Sequence, residues 1–224
     1  MRISIMQPYF FPYAGYFRLI EQSDLFVIFD CVQFPRRGWV HRNKIEIDHG
    51  LSRWLTLPLK KQARSTSINR LEFHPDAELE WNKRVAFFKK QLNKENNPRL
   101  SSFLSQLKAT PVDELVDCLA LTCEQLGIPF NFIRSSSLSV SREFQGQARI
   151  LEICRLLKAK RYLNASGGRR LYNVKDFKQR GIELEFLRDY QGSFQSIIQR
   201  LFNEKHQTIY QELTSTANQQ LVSH

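Results

Sequence analysis

Short apolar runs separated by polar turns mark the beginning of the chain. Residues 3–6 form a short run that is apolar except for Ser4, and residues 25–29 are apolar throughout. Residues 13–22 between them carry apolar side chains at helical spacing. Strands that are buried on both faces show such unbroken runs. Strand, short helix and strand within the first thirty residues therefore predict a parallel βαβ unit with a right-handed crossover.

The second half of the chain repeats this alternation. Strand-like runs at 130–133, 161–163 and 183–187 alternate with amphipathic helical patterns at 148–157 and 174–179. Such alternation is typical of a parallel sheet with helices on both faces. We therefore predict an α/β fold with a mostly parallel, Rossmann-like open sheet, in a single domain over residues 1–224.

Two helical segments extend this predicted domain. Residues 76–127 have helical spacing, with Thr110-Pro111 as a helix start and Gly127 as a stop, and predict a helical insertion. Residues 194–224 predict a C-terminal tail of one or two helices.

Residues 30–43 have no regular period and predict a long loop. Residues 44–47 and 54–57 flank Asp48-His49-Gly50 and predict a β-hairpin.

Composition narrows the class of protein. A hydrophobic content of 42% and an aromatic content of 12% are globular values. No apolar run approaches the roughly 18 residues of a membrane span, and the first residues lack a signal-peptide pattern. The four cysteines contain no C-x-x-C pair and predict reduced thiols in a cytoplasmic protein, while the scattered histidines predict no metal site.

Positive charge is concentrated in one segment. The net charge is +11, and residues 31–71 contribute +7 of it through nine basic and two acidic side chains. Such a localised field indicates an anionic partner, such as a nucleotide, a phosphorylated carrier or RNA. A solvated basic face without a specific ligand is the alternative.

Four polar segments directly follow predicted strands. They are residues 7–9, 30–43, 135–137 and 166–168. Ligands of open parallel sheets bind beyond the carboxyl ends of the strands. If the strands are parallel, all four segments meet on one rim, where we expect a binding site.

The segment from Gln7 to Tyr16 is the densest motif. Two prolines fix a rigid turn, and Gly15 permits close approach of the helix to the sheet. We expect Gln7 and Tyr13 to bind substrate, and the phenylalanines of the segment to pack in the core.

The loop that begins at Asp30 combines arginine, amide and histidine side chains. Arginine forks recognise phosphate or carboxylate, and basic neighbours keep a histidine neutral, as a general base requires. The alternative is a solvated loop with an incidental histidine. We predict Asp30 and His41 as catalytic residues, and Gln33, Arg36, Arg37, Arg42 and Asn43 as substrate-binding residues.

Ser166-Gly167-Gly168 lies between a predicted strand and a predicted helix. Glycines in that position expose backbone N–H groups to an anion, and Arg169 and Arg170 add positive charge. A simple tight turn would give the same sequence, and the spacing is not that of a P-loop.

Several of these motifs together resemble the WbqC-like protein family. The resemblance rests on the run Met6–Phe17, on Phe29-Asp30 with Val32-Gln33-Phe34, and on Arg37-Gly38-Trp39 with Arg42-Asn43. It continues through Ser166-Gly167-Gly168, Tyr190-Gln191 and Ser196-Ile197-Ile198. Two positions depart from the family pattern, since Cys31 and Gln199 stand where an aspartate is expected.

The resemblance implies transfer of an acyl or aminoacyl group to an amino sugar or similar amine, in surface-polysaccharide or related biosynthesis. We expect an anionic small-molecule or carrier-linked substrate, and the sequence identifies no cofactor. The alternatives are a polyanion- or nucleic-acid-binding module, and a non-catalytic partner of a biosynthetic complex. Nucleic acid is the less favoured partner, because aromatic residues are not interleaved with the charges along residues 31–71.

Overall fold

The computed structural model describes residues 1–47, 50–88, 90–92, 96–215, 219 and 221–223. Its centre is a six-stranded sheet made of β1 (Arg2–Met6), β2 (Leu25–Ile28), β5 (Phe132–Arg134), β6 (Arg161–Asn164), β7 (Glu183–Leu187) and β8 (Leu221–Ser223). The strand order is β5-β2-β1-β6-β7-β8; the first five strands in this order are parallel, and β8 is antiparallel to β7. The predicted Rossmann-like α/β class is confirmed.

Both faces of the central strands are buried, which explains their unbroken apolar runs. Ile5 and Val27 point into one apolar cluster, whereas Phe26 and Ile28 point into another on the opposite face. Because neither face meets water, the sequence of these strands shows no polar alternation.

Eight α-helices are present among the described residues. The predicted helix start at Thr110-Pro111 is confirmed, because Thr110 Oγ1 accepts a hydrogen bond from the Asp113 N–H at 3.2 Å. Gly127 ends that helix with a φ of 70°. The helices are α1 (Phe17–Glu21), α2 (Ala77–Phe87), α3 (Pro98–Leu104), α4 (Pro111–Leu126), α5 (Gly146–Leu156), α6 (Val174–Gln179), α7 (Ile197–Asn203) and α8 (His206–Thr214).

The hairpin begins two residues earlier than predicted. Strand β3 (Arg42–Glu46) pairs with β4 (Ser52–Thr56), so Arg42 and Asn43 belong to a strand and not to the preceding loop. The reason is that Asn43 points inward with Ile45, and a buried polar residue hides the alternation. The predicted turn residues Asp48 and His49 lie outside the described residues.

The tail is not only helical, since β8 follows α7 and α8 and covers the edge of β7. Among the described residues, no helix combines the length and the apolar character needed to cross a bilayer.

Candidate functional site

The carboxyl ends of β1, β2, β5 and β6 lie at one edge of the sheet, because these strands are parallel. Gln7, Asp30, Ser135 and Ser166 each follow one of them directly or within one residue. Gln7 and Ser166 thus lie on the same edge, as the sequence predicts. The reversal of strand order falls between β1 and β6, where α/β folds commonly bind ligands.

A large cavity at this edge lies next to the reversal point and not at it, beside the carboxyl ends of β2 and β5. We call this space of about 820 Å³ the rim cavity. Cys31, Ser135 and Ser136 form part of its wall, and the segment 60–72 forms another part. Its charged side chains are mostly cationic, namely Lys60, Lys61, Arg70, Arg142 and Arg149, with Glu72 as the acidic exception.

The Asp30 carboxylate accepts hydrogen bonds from two serines that form part of the wall of the rim cavity. Its side chain is fully buried, and its Oδ1 accepts hydrogen bonds from Ser135 Oγ at 2.9 Å and from the Ser136 N–H at 2.8 Å. Ser136 Oγ donates to the other oxygen, Oδ2, at 2.7 Å. The carboxylate therefore fixes the 3-10 turn that follows β5, and Ser136 connects it to the cavity.

Arg149 is held over Cys31 at the same end of the sheet. Its Nη1 lies 3.4 Å from the carbonyl oxygen and 3.6 Å from the Sγ of Cys31, and its Nε donates to the Phe144 carbonyl at 2.7 Å. Such backbone contacts orient the guanidinium without neutralising it, so that its charge is available to an anion.

A second cavity of about 340 Å³ lies behind the segment 60–63, and we call it the His41 cavity. The edge of the His41 ring faces Phe34, with ring centroids 4.9 Å apart. Burial, and secondly the charges of Arg42 and Arg84, lower the pKa of His41 to about 4. At neutral pH His41 is therefore an uncharged hydrogen-bonding group and only a weak base.

The segment 60–63 lines both cavities. Arg36 donates a hydrogen bond to the Gln62 carbonyl and ties this segment to the loop that follows β2. Both polar atoms of the Gln62 side chain are buried and find no partner among the described residues. His41 Nδ1 is likewise buried and has no hydrogen-bond partner among the described residues.

The remaining predicted residues of the basic loop have other surroundings. Gln33 lines the rim cavity and donates from its amide to the Arg64 carbonyl at 2.7 Å, whereas Arg37 is exposed. Arg42 lies over the Trp54 ring, 4.1 Å from its centroid. Neither Arg37 nor Arg42 is among the lining residues of the two cavities.

Asn43 supports the aromatic turn and lines neither cavity. Its Nδ2 donates to the carbonyl oxygens of Phe10, at 3.1 Å, and of Phe11, at 2.6 Å. Phe11 has a φ of 44°, in the left-handed region that costs a bulky residue about 1–3 kcal/mol. Ser196 Oγ donates to the same Phe11 carbonyl at 2.9 Å. These hydrogen bonds from Asn43 and Ser196 hold the strained turn in place.

Gln7, Tyr13 and the Ser166–Gly168 turn line neither of the two cavities. Tyr13 packs against the rings of Tyr190 and Phe194, at 5.5 and 5.0 Å between centroids. The Gln7 carbonyl accepts from Tyr16 Oη at 2.8 Å. Ser166, Gly167 and Gly168 open a 3-10 helix, in which the Gly168 N–H donates to the Ala165 carbonyl at 2.9 Å.

Several residues that line the cavities are not recognisable as site residues from the sequence. Lys60, Lys61 and Arg70 are part of the basic segment, which has no predicted position in the site, and no motif points to Gln62, Arg142 or Arg149 as site residues. Most of them lie in irregular segments, whereas Arg149 lies in the first turn of α5, and no periodic pattern in the sequence marks either kind of position.

The two departures from the family pattern have different surroundings. Cys31 lines the rim cavity. Gln199 does not line it and pairs with the backbone of Glu46, accepting from its N–H at 3.0 Å and donating to its carbonyl at 2.8 Å. An aspartate at position 199 could not donate the second bond.

Comparisons with known proteins agree with the motifs described above. No solved structure matches the chain. A protein of Mycobacterium tuberculosis (strain ATCC 25618 / H37Rv) called "Uncharacterized protein Rv1507c" is 38% identical over 63 residues, which is 28% of this chain and 27% of that protein. The model of the WbqC-like protein family matches residues 7–209, a range that includes every strand of the sheet except β1 and β8. The chain therefore belongs to the WbqC-like protein family.

Proposed function

We propose that this protein is a biosynthetic transferase that moves an acyl or aminoacyl group onto an amino sugar or a similar amine. One observation carries the proposal, namely that a cationic cavity and a buried carboxylate connected to it lie at the same end of a parallel sheet. An anionic substrate fits the cationic wall. An attacking amine needs a group that accepts its proton, which the carboxylate supplies.

The anion-binding groups of this proposal are three arginines, together with Lys60 and Lys61 of the same wall. Arg70, Arg142 and Arg149 line the rim cavity, and guanidinium groups bind phosphate or carboxylate through paired hydrogen bonds. We assign the anion to these arginines in preference to Arg37 and Arg42, which are not among the lining residues.

Asp30 is the proton acceptor of the proposal, and Ser136 is the relay. The amine nitrogen forms the new bond to the acyl carbon, and the leaving group departs with its bonding electrons. The amine proton passes to Ser136 Oγ, whose own proton moves to Asp30 Oδ2 over 2.7 Å. His41, whose pKa is lowered to about 4, is uncharged at neutral pH and offers a hydrogen-bonding group in the His41 cavity.

Substitutions at the relay test this assignment. The purified protein is incubated with amino sugars and activated acyl or aminoacyl donors, and product is detected by mass spectrometry. Asp30→Asn is expected to lower kcat by about 10²–10⁴, and Ser136→Ala to lower it by at least about tenfold. Ser137→Ala is the control, because the Ser137 hydroxyl donates to the Arg134 carbonyl and not to Asp30. Unchanged turnover in a folded Asp30→Asn variant would remove the proposed base.

A polyanion-binding module is the second candidate, and one surface favours it. Trp39 and Trp54 are 44% and 38% exposed, with ring centroids 5.2 Å apart. Lys44 is the cross-strand partner of Trp54 and, like Arg42, lies over its ring. The fold therefore brings aromatic and basic groups together although the sequence does not interleave them.

Salt separates the two candidates. Binding of an oligonucleotide through several phosphates would weaken steeply with salt and would be reduced by Trp54→Ala. Binding of a small ligand in the rim cavity would respond mildly to salt and would be unaffected by Trp54→Ala.

A further inference from the structure

We infer that the substrate is linked to a nucleoside diphosphate, with its base in the His41 cavity and its phosphates along Lys60 and Lys61. This inference rests on the proposed function and names the substrate class of the same site. The reacting amine or acyl group is then attached to a nucleotide and not to a carrier.

Unsatisfied polar atoms indicate that the His41 cavity binds a ligand with several hydrogen-bonding groups. Gln62 Nε2, Gln62 Oε1 and His41 Nδ1 are all buried without a partner among the described residues. A buried polar group left unpaired destabilises the fold, so the folded chain gains stability when a ligand satisfies these atoms. A carboxamide presents a donor beside an acceptor in one plane, and the edge of a nucleobase is complementary to that pair.

The other walls of the His41 cavity are suited to a flat ring. Phe34 offers an aromatic surface, and Leu57, Leu59 and Leu71 offer apolar contact. Stacking on an aromatic side chain favours the binding of any nucleobase, because every base has a flat aromatic face. A volume of about 340 Å³ lies within the range of small-molecule sites.

Charge selects for phosphate and against an amine in this cavity. Among the described residues that line it, none is acidic, whereas four are cationic, namely Arg36, Lys60, Lys61 and Arg84. A protonated amine would be repelled here. In the rim cavity, Glu72 and the Asp30 carboxylate behind the wall accompany the cationic side chains, so we place the reacting amine there.

The segment shared by the two cavities fits the phosphates. Lys60 and Lys61 line both cavities, so a diphosphate that joins a base in one cavity to a sugar in the other passes beside them. Arg36 donates a hydrogen bond to the Gln62 backbone carbonyl and so anchors the backbone from which the Gln62 side chain extends. The order base, diphosphate and sugar along the ligand thus matches the order His41 cavity, lysines and Ser136 along the protein.

Calorimetric titration with uridine, adenosine, guanosine, cytidine and thymidine diphosphates, and with inorganic pyrophosphate, tests the inference. At least one nucleoside diphosphate is expected to bind tenfold or more tightly than pyrophosphate. Gln62→Leu is expected to remove about tenfold of this preference and to leave the affinity for pyrophosphate unchanged. Lys61→Met is expected to weaken both ligands by similar factors. Gln179→Leu and Lys178→Met are matched controls, because both side chains are exposed and line neither cavity.

The outcomes separate this inference from the proposed function. Pyrophosphate that binds as tightly as every nucleoside diphosphate would overturn the inference, and so would a Gln62→Leu variant that keeps the nucleoside preference. If the protein binds a nucleotide in a way that depends on Gln62 but transfers no acyl group, the nucleotide site is upheld and the transferase activity is refuted. Acyl transfer without any nucleotide preference would uphold the transferase and refute the nucleotide site.

Discussion

Replacement of Gly15 by alanine is expected to destabilise the fold, because this residue lies against two tyrosine rings. A Cβ atom at position 15 would lie 2.7 Å from Cγ and 2.8 Å from Cδ1 of Tyr190, and it would also overlap Tyr13. The Tyr190 ring is held in place, since its hydroxyl donates to Glu212. Arg200 in turn donates to both oxygens of that carboxylate, at 2.7 and 2.9 Å.

Two effects of this substitution oppose each other. Alanine is favoured over glycine by about 1 kcal/mol in a regular helix, which is an upper limit for the 3-10 turn at position 15. Overpacking of a fixed core costs about 1–3 kcal/mol. Because Tyr190 cannot easily move away, steric overlap wins, and we expect a net loss of about 1–2 kcal/mol. For a chain of this length the thermal midpoint falls by about 2–8 °C.

Urea unfolding of wild type and Gly15→Ala, followed by circular dichroism, measures this loss. Gly167→Ala is the matched control, because a Cβ at position 167 meets no atom within 4 Å, and its stability is expected to change by less than about 0.5 kcal/mol. Gly15→Ala should cost less in a Tyr190→Ala background than in wild type, because the overlap with the Tyr190 ring is then absent. A Gly15→Ala variant as stable as wild type would refute the packing described for this turn.

Two further predictions concern the pH dependence of stability. Burial, with Arg42 and Arg84, lowers the pKa of His41 from 6.5 to about 4, so between these values the unfolded chain binds a proton that the folded chain does not. Stability should therefore fall as the pH is lowered from about 6.5 to 4, and urea midpoints should fall less in His41→Gln. Burial raises the pKa of Glu114 from 4.5 to about 7, so here the folded chain holds the extra proton and stability should fall as the pH rises through that window. Glu114→Gln should be more stable than wild type at pH 8 by about 2–3 kcal/mol, and equal urea midpoints at that pH would contradict it.

Much of the fold was predictable because burial on both faces leaves a direct mark on a sequence. The runs around Ile5 and Val27 locate the central strands without any knowledge of their partners. The sequence leaves no such mark where polar residues are buried or pairing is remote. Asn43 points inward to hold the Phe11 turn, and β8 pairs with β7 over more than thirty residues of intervening chain.

The candidate site was predictable only in part, for a related reason. Asp30 and Ser135 follow strands, so strand prediction places them at the right edge of the sheet. Gln62 and Arg149 reach the same edge from an irregular segment and from a helix, and no periodic pattern in the sequence reports where such side chains point. The pairing of Asp30 with Ser136 depends on the contact between two neighbouring strand ends and could be seen only in three dimensions.

The position of β1 in the middle of the sheet has a consequence for synthesis on the ribosome. Its partner on one side, β2, follows within about twenty residues, but its partner on the other side, β6, begins at Arg161. While the intervening residues are being made, one edge of an apolar strand has unpaired N–H and C=O groups, which invite pairing with another chain. Newly made chains of this protein should therefore be most prone to aggregation before Arg161–Asn164 leaves the exit tunnel. Arrested chains that end before and after this strand would differ sharply in their resistance to protease.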